Sequence, residues 1–141
     1  MLPQKEYPLV LVVDDNPFNV EVISLMLKEK QVQSVSAYSG REALEIVKAR
    51  IQLAAKAKAP MFKIVIMDYS MPEMNGPTAV KKMKKLFERS GFKRDQQPYI
   101  CCCTAYNEAT YKKNAEDVGM DHFMVKPVTN EDLTTLLDLL M

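Results

Sequence analysis

The sequence carries almost no net charge: 19 Lys and Arg against 18 Asp and Glu leave +1 over 141 residues. So small a balance sets up no field that would draw the chain to nucleic acid or to an anionic membrane, and direct contact with either is not expected. The one basic run, Lys81, Lys82, Lys84 and Lys85, falls on a single expected helix and reads as a solvated face. No apolar run is long enough to span a bilayer, and the N-terminus lacks the pattern of a signal peptide. Cysteines are few and consecutive: Cys101, Cys102 and Cys103. Neighbours on a strand point to opposite faces, so these three cannot converge on one metal or build a disulfide framework. They read as small buried hydrophobes, and free thiols suit a reducing, cytoplasmic compartment. The only histidine, His122, precedes the last expected strand and reads as a surface or hinge residue, not a phosphate donor or metal ligand. Internal repeats and low-complexity segments are absent too.

What is present is an ordinary globular mixture, 48% hydrophobic and 26% charged, of a length that suits one domain. Apolar runs alternate with amphipathic stretches. Leu9 to Val13 reads as a strand. Asn16 then offers a helix cap and Pro17 a first helical position, with Val22, Ile23, Met26 and Leu27 at helical spacing. A short strand from Val32 to Ala37 precedes a capping-box pair, Ser39 and Glu42. The helix behind it presents Leu44, Val47, Ile51 and Ala54 and is expected to run on toward Lys58 before Pro60 bars it. Ile64 to Met67 is wholly apolar. Pro77 opens a third helix with Val80, Met83, Leu86 and Phe87 inward, followed by a polar loop from Ser90 to Gln97. Tyr99 to Cys103 is strand. Asn107 caps a weaker helix that Gly119 ends. Phe123 to Val125 is the last strand. Thr129 and Asp132 cap the final helix, whose stripe is Leu133, Leu136, Leu137 and Leu140. The chain stops in or just after that helix without a cap, the pattern of a piece cut from a longer protein. Five β-α repeats with unbroken apolar strands imply an α/β, doubly wound parallel sheet with helices on both faces.

Ligands in such sheets bind beyond the carboxyl ends of the strands. Asp14 and Asp15 follow the first strand, Asp68 the third, Thr104 the fourth, and Lys126 with Pro127 the fifth. Three carboxylates, a hydroxyl and an ammonium therefore gather at one end of one sheet. Carboxylates this close repel one another unless a cation sits among them. Hard oxygen donors favour magnesium. Asp68 is a candidate nucleophile, because carboxylates form acyl phosphates. Phosphoryl transfer depends mainly on positioning and charge stabilisation, which a metal, Lys126 and the Thr104 hydroxyl would supply.

Four stretches resemble the motifs of response-regulator receiver domains: Val12-Val13-Asp14-Asp15-Asn16, Met67-Asp68-Tyr69-Ser70-Met71-Pro72-Glu73-Met74-Asn75-Gly76, Thr104-Ala105 and Val125-Lys126-Pro127. Order and spacing match over nearly the whole chain. Asn16, Asn19 and Gly119-Met120-Asp121 are more similar to receivers of hybrid histidine kinases than to stand-alone transcriptional regulators. The resemblance implies a flavodoxin-like sheet of order 2-1-3-4-5, a receiver domain over residues 7–141 and a tail over 1–6. It implies that Asp68 takes a phosphoryl group from the phosphohistidine of a histidine kinase or histidine phosphotransfer protein. Such a domain is a self-phosphorylating acceptor, not a turnover enzyme. Asp15, Asp68 and the Ser70 carbonyl would hold magnesium, with Asp14 acting mainly through water. Lys126 would pair with the phosphoryl group, Thr104 would shift toward it, and Phe123 would swing inward with Thr104. Ala105 matches a position kept small, Ser70 and Tyr106 would flank the path of hydrolytic water, and the Lys126-Pro127 bond would be cis.

The second helix and the loop from Ser90 to Gln97 are longer than the family's usual ones, and the fourth strand has cysteines where aliphatics are usual. Three other functions compete. A flavin-binding protein of similar fold would meet repulsion between Asp14-Asp15 and the flavin phosphate. An aspartyl phosphatase usually has a second Asp two residues beyond the first, where this chain has Ser70. A degenerate, docking-only receiver would not keep all five key side chains. Phe18, Val22 and Leu25 form a second apolar stripe on the first helix, near the acidic end, and are the expected contact for the helical bundle that carries the donor histidine.

Overall fold

A computed structural model describes residues 8–105 and 109–140; Tyr106 and the expected Asn107 cap lie outside the described residues. The strands are β1 (Val10–Val13), β2 (Ser34–Ala37), β3 (Ile64–Asp68), β4 (Tyr99–Thr104) and β5 (His122–Val125). The helices are α1 (Pro17–Glu29), α2 (Gly40–Ala55), α3 (Gly76–Arg89), α4 (Ala109–Asp117) and α5 (Asn130–Leu140). The sheet order is β2-β1-β3-β4-β5, and every neighbouring pair is parallel. This is the flavodoxin-like arrangement expected. β1 and β3 are buried along their whole length, as strands covered on both faces must be. None of the described helices is long and apolar enough to cross a membrane.

Strand alternation sorts the core into two layers. Leu11, Val13, Val65, Met67 and Cys102 pack with α2, α3 and Ala115 of α4. Val10, Val12, Ile64, Ile66, Cys101 and Cys103 pack with α1 and α5. The three cysteines are free and buried, split between the two faces as their spacing requires. Burial pushes the Cys102 thiol up to about 12, so it is held as an inert thiol.

Caps fix where the helices start. Asn16 accepts a hydrogen bond from the Phe18 amide, Ser39 from that of Glu42, and Asn75 from that of Thr78. Thr129 and Asp132 cap α5 reciprocally, at 3.0 and 3.1 Å. Three expectations need correction. The second helix stops at Ala55, not near Lys58, because Ala57 takes φ 55° and the Lys58 amide closes back on the Leu53 carbonyl at 2.9 Å. That left-handed closure usually announces itself by a glycine, which this sequence lacks there. The polar loop holds a short 3-10 turn over Arg94–Gln96. On α1 the buried stripe is Val20, Ile23 and Leu27; Val22 faces outward.

Arg50 is a buried cation that the α2 pattern did not announce. Its Nη1 donates to the carbonyls of Pro8 (3.1 Å) and Pro60 (2.9 Å), and its guanidinium lies 4.0 Å above the Phe62 ring. It joins α2, the approach to β1 and the approach to β3, which fixes the two strands that carry the acidic end.

Candidate functional site

β1 is where the sheet order reverses, with β2 on one side and β3 on the other, and a doubly wound sheet opens a crevice at that point. Asp14 and Asp15 leave β1 there. Val13 pairs with Met67, Asp68 with Cys103, and Thr104 with Val125, so the register brings the expected residues to one level. Asp14, Asp68 and Thr104 are buried, and Asp15 is exposed. One oxygen from each of Asp14, Asp15 and Asp68 lies within 4.8 Å of the others.

Lys126 follows β5, the edge strand of the sheet. Its Nζ lies 2.8 Å from Asp14 Oδ2 and 3.0 Å from Asp68 Oδ1. The bridge to Asp14 goes beyond the sequence expectation, in which Lys126 pairs with the phosphoryl group alone. The Lys126-Pro127 bond is cis, as expected. Asp14 is further held by the Asn16 amide at 2.9 Å and, more loosely, by the Asn19 side-chain amide at 3.4 Å. Asn16 thus both caps α1 and orients a carboxylate.

One ammonium does not balance three carboxylates. Burial, the largest influence, raises the Asp68 carboxyl from 3.8 to about 7; Asp14 adds to the rise, and the bonds from Lys126 oppose it. Burial also pulls on Lys126 in the downward direction, but its hydrogen bonds to Asp14 and Asp68 outweigh it and the ammonium is held more firmly than usual. A group of hard oxygen donors in which burial, and after it a neighbouring carboxylate, push one carboxyl toward neutrality fits a small divalent cation such as magnesium.

The β3–α3 loop is folded tightly under Asp68. The Gly76 amide donates to the Tyr69 carbonyl at 2.7 Å. A Cβ on Gly76 would lie 2.3 Å from the Asp68 carbonyl oxygen, so only glycine allows this approach. Met71 is buried and Met74 half-buried, pinning the loop, while Ser70 is exposed two residues beyond Asp68. In the sequence Asn75-Gly76 stands only as part of a motif; a glycine between a cap residue and Pro77 is the available sign of close approach. Phe123, in register with Cys102, is half-buried against the α2–α4 core, and alternation along β4 and β5 puts Thr104 and Phe123 on that same face.

The outer stripe of α1 is exposed, Phe18 at 69% and Leu25 at 53%. Phe18 and Val22 border a cleft of about 300 Å³ with Asn19, Lys126, Pro127 and Val128. Leu25 lies apart, beside a second cleft with Ser24 and Lys28. The stripe therefore meets the acidic site at its Phe18 end only.

Comparison with known proteins agrees with this geometry. Over 129 residues the chain is 33% identical to the signal transduction histidine-protein kinase BarA of Escherichia coli, covering 91% of this chain but 12% of BarA. It is 30% identical to the two-component response regulator ORR5 of rice, covering 92% of this chain and 85% of ORR5. The receiver domain of the Arabidopsis thaliana histidine kinase CKI1, solved with Mg2+ and BeF3-, superposes with TM-score 0.78 at 26% identity, over 92% of this chain and 89% of that one. The receiver domain of Saccharomyces cerevisiae Ssk1, solved with the histidine phosphotransfer protein Ypd1, gives 0.74 at 25% identity, over 93% and 84%. Residues 10–138 match the response regulator receiver domain, and the chain belongs to that family.

Proposed function

We propose that this domain accepts a phosphoryl group on Asp68 from the phosphohistidine of a histidine kinase or histidine phosphotransfer protein and uses the resulting acyl phosphate as a signal. The observation that carries this reading is the buried Asp68 carboxylate at the end of the central strand, bonded to Lys126 and within 4.8 Å of the Asp14 and Asp15 carboxylates. In the transfer, an Asp68 oxygen forms the new bond to phosphorus, the phosphorus–nitrogen bond breaks, and the donor imidazole leaves with the electron pair.

Asp15, Asp68 and the Ser70 carbonyl would hold magnesium, with Asp14 acting through water, and the bound ion supplies charge neutralisation for the carboxylates and the transferred oxygens. Lys126 holds the carboxylates in place and then pairs with the phosphoryl oxygens. The Thr104 hydroxyl donates to those oxygens as Phe123 turns inward on the same sheet face. Phe18 and Val22, beside Lys126 in the cleft, form the apolar contact for the donor's helical bundle, with Leu25 extending it. The match to about a tenth of BarA supports a place within a hybrid histidine kinase, and the buried free thiols of β4 suit the cytoplasmic side.

Incubation with acetyl phosphate and magnesium tests the reading. Intact mass should rise by one phosphoryl group, and excess chelator should prevent it. Full labelling in chelator refutes the metal requirement; no labelling under any condition refutes the acceptor role.

A further inference from the structure

Tyr69 follows Asp68 directly and sits where three elements meet. Its amide donates to the Cys103 carbonyl of β4 at 2.9 Å, and its carbonyl accepts from the Gly76 amide at the start of α3 at 2.7 Å. Its side chain is buried and points to α4. There its hydroxyl oxygen accepts from Asn114 Nδ2 at 2.9 Å, and its ring meets Tyr111 edge-on, centroids 4.9 Å apart at 73°.

Among the described residues, α4 buries few side chains of its own. Of its nine residues only Ala115 is buried, against six buried residues in α3. Tyr111 and the following Val118 are half-buried on the core. A helix with one small buried side chain gains little from burial, and elements with few apolar contacts open locally before the rest of a fold. The Tyr69 contacts therefore add two fastenings, to Asn114 and to Tyr111, to a helix with little buried area of its own.

We infer that Tyr69 is the positioning residue that clasps α4 to the end of β3, so that α4 opens as a separate unit whose opening is set beside Asp68. The clasp itself depends only on the geometry above. Its coupling to phosphorylation rests on the proposed acceptor role of Asp68.

Amide hydrogen exchange on the whole chain decides both parts. In the unlabelled protein, α4 should be less protected than α3. Tyr69→Phe keeps the ring and removes the hydroxyl acceptor; it should speed exchange in α4 about threefold, as loss of one part-exposed hydrogen bond predicts, and leave β1, β3 and α3 unchanged. Asn114→Ala should do the same, and the double variant should be no worse than either single one. Exchange in α4 at the α3 rate, unchanged exchange in Tyr69→Phe, or additive effects in the double variant would overturn the clasp. After labelling with acetyl phosphate and magnesium, verified by intact mass, α4 protection should change in the native chain and change less in Tyr69→Phe. Equal changes would overturn the coupling. A chain that takes up no label refutes the acceptor role alone, and the clasp is then judged by exchange in the unlabelled chain.

Discussion

In metal-free buffer near pH 8, Asp68→Asn should stabilise the fold even though it removes a hydrogen-bonded side chain. Burial, and after it Asp14, raise the Asp68 carboxyl from 3.8 to about 7 against the pull of Lys126. The folded chain therefore holds a proton that the unfolded chain releases, and native stability falls as pH rises from about 4 to about 7. At 1.36 kcal/mol per pH unit the full span is about 4 kcal/mol. Asparagine recovers only part of this. The site opens to solvent at the exposed Asp15, and screening discounts the figure, while the asparagine oxygen still accepts from Lys126, which also keeps Asp14 at 2.8 Å. The net expectation is a gain of about 1–2 kcal/mol, roughly 3–6 °C in Tm for a chain of this size. Urea and thermal unfolding in chelator, at about pH 8 and about pH 5, provide the assay. At the lower value Asp68 is neutral in the folded chain but still mostly charged in the unfolded one, so about a third of the gap between the two proteins should remain there. An asparagine variant no more stable than the native chain at the higher pH, or a gap that ignores pH, would refute the electrostatic account of this site.

Three further outcomes follow from the same geometry. Asp15→Ala removes the exposed member of the acidic group and should weaken magnesium binding about tenfold or more, roughly 1.4 kcal/mol, by titration calorimetry; unchanged affinity would contradict its role. Phe18→Ala should slow transfer from a phosphorylated histidine phosphotransfer protein about fivefold or more, as loss of a buried aromatic anchor does, and leave labelling by acetyl phosphate unaltered. Gly76→Ala would drive a methyl group to 2.3 Å from the Asp68 carbonyl oxygen and should cost about 1–3 kcal/mol of stability; a neutral effect in urea unfolding would mean that the loop yields.

The sheet and its acidic end were legible because they depend on local signals. Apolar runs located the strands, Asn16, Ser39 and Thr129 marked helix starts, and each functional residue ends or follows a strand. Cys101 to Cys103 divided between the faces as period-two alternation requires. What the sequence did not reveal depends on tertiary approach. Lys126 reaches Asp14 only because β1, β3 and β5 converge, and the two residues are 112 apart in the chain. Arg50 occupies a buried position because carbonyls of Pro8 and Pro60 receive it, which no helical pattern indicates. The Ala57 closure shortens α2 without a glycine to signal it. The Tyr69–Asn114 contact joins two elements whose local sequences give no sign of each other.

The proposed acceptor of the phosphohistidine's phosphoryl group is Asp68, and not its acidic neighbours. The direct measurement is reductive trapping after transfer. The chain is incubated with a phosphorylated histidine phosphotransfer protein and magnesium, treated with borohydride, which reduces an acyl phosphate to homoserine, and mapped by peptide mass spectrometry. Homoserine should appear at position 68 and at neither 14 nor 15, and the Asp68→Asn variant should yield none. Homoserine at Asp14 or Asp15, or transfer to the asparagine variant at the native rate, would contradict the account.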